Sequence, residues 1–222
     1  MDEANLRWAQ HGELTVADGV LSGCEWYDYY PVSLNIPEGV HTIAEGAFAK
    51  FLTLGCVALP QSLKEIGPGA FSQCRNLREI SLPESLERVG RHAFIECVFL
   101  KKIVLPDSVR EIGEGAFGDC SGLASIEIGS GIKEIAPFTF SGCGSLGCVH
   151  SRGDITEIGK CAFLGCTSLM SVTLPISLRW VEPHAFKDCS LREVHLSRHT
   201  KFCEGIYGDG SFPPSAKLIW RD

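Results

Sequence analysis

Hydrophobic residues recur along the chain in units of 23 residues, and one such unit spans residues 77–97 (LREISLPESLERVGRHAFIEC). Ile80 and Leu82 alternate with polar residues, which predicts a short strand with one face on a core. Pro83 ends this strand because proline has no N–H to donate to a ladder. A second short alternation, Leu86 to Val89, predicts another strand in the same unit.

Each unit closes with an Ala-Phe-x-x-Cys segment, which is too short for a stable helix. It is predicted to form a helical or 3₁₀ turn whose phenylalanine fills the space between the two strands. Phenylalanine recurs every 23 residues at Phe48, Phe71, Phe94, Phe117, Phe140, Phe163 and Phe186. Cysteine follows three places behind in all units but the first, at Cys74, Cys97, Cys120, Cys143, Cys166 and Cys189.

A glycine also recurs where the second strand meets the turn. A repeated glycine predicts either a positive φ or a close approach of two backbones. The slot holds glycine at Gly67, Gly90, Gly113 and Gly159, and other residues at Ala44, Ala136 and Glu182. The three exceptions argue against a strict left-handed conformation in every unit.

Two short strands and a turn cannot bury an apolar face alone, so stacked units predict a solenoid. We expect one domain over residues 1–222: an N-terminal cap (1–31), repeats (32–196) and a C-terminal cap (197–222). The predicted fold is a right-handed superhelix of about eight 23-residue rungs, with two short parallel strand ladders and 3₁₀ or helical turns. Asp18-Gly19 between alternating strands predicts a hairpin in the N-terminal cap.

The unit LPESLERVGRHAFIECVFLKKIVLPDSV resembles the BspA-like, Treponema-type leucine-rich repeats, and the resemblance covers about residues 32–196. It implies a leucine-rich repeat solenoid without general catalytic residues. It also implies proteins on bacterial or parasite surfaces, or secreted from them, that often adhere to host proteins.

The net charge of −7 and the absence of a basic stripe argue against nucleic acid as a partner class. Apolar runs are too short to cross a bilayer, so no membrane insertion is expected. The chain as given begins without a signal peptide, which favours the cytoplasm, whereas the resemblance implies the cell surface or secretion if a signal was removed. We expect a monomer, no cofactor and a protein partner.

The 23-residue spacing of the cysteine column predicts structural thiols. Stacked side chains point in the same direction, which does not suit a disulfide or a convergent metal site. A buried thiol that donates weakly to the backbone fits better. Two chemical alternatives stay open: a zinc site with the 4-12-4 spacing of Cys143, Cys148, Cys161 and Cys166, and a thiol nucleophile from Cys161 and His184.

The outward positions of the first strand are the predicted protein-binding face, expected to be concave. We call them the first-strand face: Glu79, Ser81, Lys102, Val104, Ser125, Glu127, Cys148, His150, Ser171, Thr173, Glu193 and His195. Outward charges on the second strand, such as Glu87 between Lys64 and Arg110, predict stabilising cross-rung ion pairs. The aromatic group from Trp26 to Tyr30 is either a cap or a contact surface.

The sequence therefore predicts a non-enzymatic protein-binding repeat module, with adhesion to host proteins as the finer hypothesis. An intracellular scaffold or inhibitor is the alternative, and a cysteine-dependent hydrolase is a more distant one.

Overall fold

The computed structural model describes residues 6–8, 12–26, 32–203 and 210–221; at 6–8, 12–13, 25–26 and 32 it describes the backbone only. The described residues form twenty short strands. In chain order these are β1 (Leu6–Trp8), β2 (Gly12–Ala17), β3 (Val20–Trp26), β4 (Val32–Asn35), β5 (Thr42–Ile43), β6 (Leu54–Ala58), β7 (Glu65–Ile66), β8 (Glu79–Ser81), β9 (Arg88–Val89), β10 (Lys102–Val104), β11 (Glu111–Ile112), β12 (Ser125–Ile128), β13 (Glu134–Ile135), β14 (Cys148–Ser151), β15 (Glu157–Ile158), β16 (Ser171–Thr173), β17 (Trp180–Val181), β18 (Glu193–Ser197), β19 (Lys201–Phe202) and β20 (Lys217–Arg221).

The strands stack as a solenoid of about eight turns, as the sequence predicts. We call one turn of the solenoid a rung. Even-numbered strands from β4 onward form the first-strand ladder, and odd-numbered strands from β5 onward form the second-strand ladder. Both ladders are parallel, and residues 23 apart are partners, as in Ile103↔Ile126. The last unit is one residue shorter, so that Ser171 pairs with Glu193.

The N-terminal end carries an antiparallel hairpin formed by β2 and β3. Asp18 (φ 49°) and Gly19 (φ 74°) make its turn, so the Asp-Gly signal in the sequence predicts the hairpin correctly. β3 then pairs in parallel with β5 and joins the hairpin to the second-strand ladder.

The turns form a third side of the solenoid, which we call the turn column. Within a turn, alternate N–H groups bond locally, as Cys97 N–H does to the Phe94 carbonyl (3.2 Å). The N–H groups between them cross to the next rung, as Phe94 N–H does to the Ala116 carbonyl (2.7 Å). This pattern repeats on every rung from Phe48 to Phe186, so the backbone of each turn is bonded to its neighbour.

Backbone conformation in the turn column differs from the expected helical or 3₁₀ geometry. Left-handed residues lie two places before and two places after each phenylalanine and prevent helix formation: Gly46, Lys50, Gly69, Gln73, His92, Glu96, Gly115, Asp119, Phe138, Gly142, Cys161, Gly165, His184 and Asp188. The recurrent glycines at the strand ends have no positive φ. A Cβ on Gly90 would lie 2.6 Å from the Gly67 carbonyl carbon, so close backbone approach explains their recurrence.

The core is a column of inward-facing side chains between the three sides. Successive phenyl rings stack from Phe48 to Phe186 with centroids 5.0–5.7 Å apart, and Phe212 of the C-terminal segment continues the stack at 5.3 Å. From Phe48 to Phe186, each phenylalanine of the stack is at most 3% exposed. In the described part of the chain, no helix has the length and apolar character needed to cross a membrane.

Candidate functional site

The first-strand face is built from strands whose central residue points into the core. Ile80, Ile103 and Ile126 are buried, and the residues that flank them point outward because side chains alternate along a strand. Nine members of the face are exposed and three, Ser125, Glu127 and His195, are half-buried. Outward residues of β4 and β6 continue this surface toward the N-terminus, beyond the predicted face.

The first-strand ladder is interrupted at two places, which the sequence analysis did not predict. β4, β6 and β8 form one sheet, β10, β12 and β14 a second, and β16, β18 and β20 a third. We call the boundary between two adjacent rungs a joint. At the β8–β10 and β14–β16 joints, no strand pairing is present in the described chain, although the residue spacing of 23 is unchanged.

A groove of about 430 Å³ lies at the β8–β10 joint. Glu79 and Ser81 line one wall, and Lys102 and Val104 line the other, so four members of the first-strand face surround it. A second groove, of about 440 Å³, lies over β4, β6 and β8 and includes outward residues such as Cys56.

Charges on the first-strand face are partly paired. Lys102 Nζ lies 2.6 Å from a carboxylate oxygen of Glu127, and this hydrogen bond lowers the pKa of Glu127. His195 Nε2 lies 3.8 Å from Glu193. A partner that covers the central rungs of this face would therefore meet the Lys102–Glu127 ion pair.

The outward side of the second-strand ladder carries ion pairs between adjacent rungs. Lys64 lies 3.0 Å from Glu87 and Arg88 lies 2.6 Å from Glu65, in each case across one joint. Hydrogen bonding from Lys64 lowers the pKa of Glu87. All four side chains are substantially exposed, so solvent screens the pairs and their individual contribution to stability is small.

The thiols of the cysteine column donate to backbone carbonyls of the preceding rung. Cys120 Sγ lies 3.1 Å from the Phe94 carbonyl oxygen, which also accepts the N–H of Cys97. All six column thiols make the same contact, at 3.0–3.3 Å. Burial raises the pKa of Cys74 and of Cys143 to about 12, which keeps both thiols protonated at neutral pH.

The four cysteines of the 4-12-4 spacing do not come together. Cys143 and Cys166 are buried in the column, Cys148 is exposed on β14, and Cys161 is at a left-handed turn position. No group of three or more potential metal ligands occurs among the described residues.

Cys161 and His184 occupy equivalent left-handed positions on adjacent rungs, but no hydrogen bond joins them in the described part of the chain. Burial raises the pKa of the Cys161 thiol, which reduces the thiolate available for nucleophilic attack. His184 Nδ1 is buried without a hydrogen-bond partner among the described residues.

The aromatic group from Trp26 to Tyr30 lies outside the described side chains.

The structure also contains a column of hydroxyl groups that was not predicted from the sequence. At the corner between the two strands, each hydroxyl donates to a carbonyl of the preceding rung, as Ser108 does to Leu86 at 2.6 Å. The Ser-Leu pair that recurs in the repeat could have indicated this hydroxyl column. The other members are Ser62, Ser85, Ser177 and Thr200.

The repeat geometry agrees with a family comparison. The model of the BspA type leucine-rich repeat region matches residues 26–104 and 87–209, with six copies. The chain belongs to the BspA-type leucine-rich repeat family. This family is typically non-catalytic, and its repeats form protein-binding modules. No curated protein matches this BspA-type chain.

Two solved structures of bacterial proteins are similar to this BspA-type chain. A leucine-rich repeat protein of T. pallidum is 27% identical, with a TM-score of 0.59, over 73% of this chain and 90% of that chain. A leucine-rich cell surface protein of Faecalibacterium prausnitzii A2-165 is 21% identical, with a TM-score of 0.61, over 87% and 71% of the two chains. The latter likeness concerns the fold alone.

Proposed function

We propose that this chain recognises another protein and that the partner lies across the first-strand face. The observation that carries this proposal is the pair of grooves on that face, which together extend from β4 to β10. Outward side chains around them, such as Glu79 and Lys102, are exposed, and the strands beneath them are held by the buried core. The face is therefore a surface with recesses above a packed core, as a binding site needs.

Contact with host proteins is the finer proposal, and it rests on what the family resemblance implies. An intracellular scaffold or inhibitor is the second candidate, because all eleven cysteines are free and reduced thiols persist in reducing compartments. Protease treatment of intact source cells separates the two, since only a surface protein is cleaved.

Substitution of Ser125 and Ser171 by arginine tests the face itself. Both side chains lie on the first-strand face and neither makes a side-chain hydrogen bond among the described residues, so the fold should tolerate the change. Pull-down from source lysate should recover less of the wild-type partner with the double variant. Cys161→Ser is the control and should retain it.

The opposite result would contradict the proposal. If the double arginine variant binds normally and Cys161→Ser does not, the partner uses the turn column instead. Thermal unfolding of each variant distinguishes lost binding from lost structure.

A further inference from the structure

We propose that the groove at the β8–β10 joint binds an extended peptide segment of a partner protein, with an acidic side chain at the end lined by Arg78 and Lys101. This inference rests on the proposed function, protein recognition by the first-strand face, and specifies the chemistry of the segment recognised.

The groove exists because the joint is open on one side only. Across it, Arg88 still pairs with Glu111 in the second-strand ladder, and the rings of Phe94 and Phe117 stack at 5.2 Å. Insertion of a whole strand would need about twice the normal ladder spacing of roughly 4.8 Å. The two closed sides prevent such separation, so a peptide must lie along the groove rather than between the strands.

Backbone groups at the open joint are available to such a peptide. At the next joint, Ala124 N–H donates to the Lys101 carbonyl and Leu105 N–H donates to the Glu127 carbonyl, both at 2.9 Å. The corresponding bonds at the β8–β10 joint would run from Lys101 N–H to Arg78 and from Leu82 N–H to Val104. Both are absent, and all the residues concerned are described. A peptide that lies over the joint can offer hydrogen-bond partners to these groups without inserting a full strand.

The two ends of the groove carry charges of opposite sign. Arg78 and Lys101 come just before β8 and β10, and neither has an ion-pair partner within the described residues. The Arg78 guanidinium lies 5.8 Å from the Phe99 ring centroid, a contact that holds it at this end. Glu84 lines the groove beyond the other end of β8, and it too has no ion-pair partner among the described residues. Between the two ends, Lys102 is paired with Glu127, and the exposed carboxylate of Glu79 lies on the opposite wall. Arg78 and Lys101 therefore set the positive end and Glu84 the negative end.

These features define the segment that fits. From Arg78 to Glu84 the chain advances six residues, but Glu84 lies in the turn after β8, so the separation is less than the roughly 20 Å of a fully extended segment. A matching peptide carries an acidic residue at one end and a basic residue about five places away. Between them an apolar side chain can cover Val104, which is 39% exposed on the groove wall.

The second open joint offers a comparison within the same molecule. At β14–β16, Gly147 and Met170 occupy the positions of Arg78 and Lys101. That joint therefore lacks both cations and should not select an acidic residue. The open joint of the second-strand ladder, β11–β13, has a smaller groove of about 260 Å³, lined by Glu111, Glu114 and Glu134.

A display library of random nine-residue peptides, selected on the full chain, tests the proposal. Enriched peptides should carry the acidic and basic residues at the stated spacing. In fluorescence polarisation with a selected peptide, Arg78→Glu and Lys101→Glu should each weaken binding about tenfold, since charge attraction becomes repulsion. Arg192→Glu is the matched control: Arg192 occupies the same repeat position on a rung whose joints are bonded on both sides, and its reversal should leave affinity unchanged.

The outcomes separate this proposal from the proposed function. Peptides that bind both groove variants normally, but fail with Ser125→Arg and Ser171→Arg, overturn the groove assignment and retain the first-strand face. Peptides insensitive to all four substitutions contradict both. Enrichment on the Arg78→Glu/Lys101→Glu double variant equal to that on the natural chain, or no enrichment on either, also overturns the groove assignment.

Discussion

The turn column and the first-strand face belong to the same rungs but are bonded in different ways. In the turn column, backbone hydrogen bonds, stacked rings and thiol contacts cross every joint from Phe48 to Phe186. In the first-strand ladder, pairing stops at two joints, although the rungs remain stacked. Continuity on one side therefore allows irregularity on the other, and the irregular side is where we place recognition.

The largest expected effect comes from Phe117→Ala. This buried ring stacks on both neighbours, at 5.2 Å and 5.7 Å, so its truncation leaves a cavity in the turn column. We expect the free energy of unfolding to fall by about 3–5 kcal/mol in chemical denaturation. Val104→Ala on the first-strand face is the control and should change it by less than about 0.5 kcal/mol. If both variants lose the same free energy of unfolding, the turn column is no more important for stability than the first-strand face.

Alkaline pH should weaken the turn column next. The folded-state pKa of Cys74 and of Cys143 is raised from 9.0 to about 12, so the unfolded chain loses these protons first as pH rises. The stabilisation is complete below pH 9 and is lost between about pH 9 and 12. Each thiol should lower the free energy of unfolding by up to about 1.4 kcal/mol per pH unit in that window.

Denaturant titrations at pH 8, 9 and 10 measure this loss. The variant Cys143→Ala should show a shallower pH dependence than the natural chain, whereas Cys148→Ala, which removes an exposed thiol of the first-strand face, should not. Identical slopes for both variants would mean that the column thiols do not contribute.

A smaller effect is expected from Ser108→Ala at the corner between the two ladders. Its hydroxyl donates to the Leu86 carbonyl of the preceding rung at 2.6 Å and is partly buried. Loss of this bond should cost about 1 kcal/mol in thermal or chemical unfolding. Ser81→Ala, on the exposed first-strand face, should cost almost nothing. If the two serines are equivalent, the corner does not take part in holding the rungs together.

Much of the architecture is predictable because it depends on one repeated spacing. The alternation around Ile80 gives the first strand, Pro83 gives its end, and the 23-residue interval gives the stacking. The role of the recurrent glycine was ambiguous, because a positive φ and a close approach of two backbones both lead to a regular spacing of glycine along the repeats. The actual left-handed positions were missed because residues as different as His92, Phe138 and Cys161 occupy them.

The open joints were harder to foresee. Glu79 and Lys102 keep the normal interval, and nothing in their spacing indicates that β8 and β10 fail to pair. The β14–β16 joint had a weak signal, because Ser151 stands where other rungs have leucine or isoleucine. Whether a ladder closes depends on backbone positions set by all three sides, which a residue pattern does not encode.

The one-sided opening of a joint has a mechanical consequence. A rung tied to its neighbour along the second-strand ladder and the turn column can rotate slightly about the line between those attachments. The β8–β10 and β14–β16 joints, three rungs apart, are thus places where the first-strand side can open or close while the other two sides stay attached; β11–β13 is the corresponding place on the second-strand side. Closing or widening the first-strand side at one of them changes the angle between the segments on either side without breaking the stacked rings.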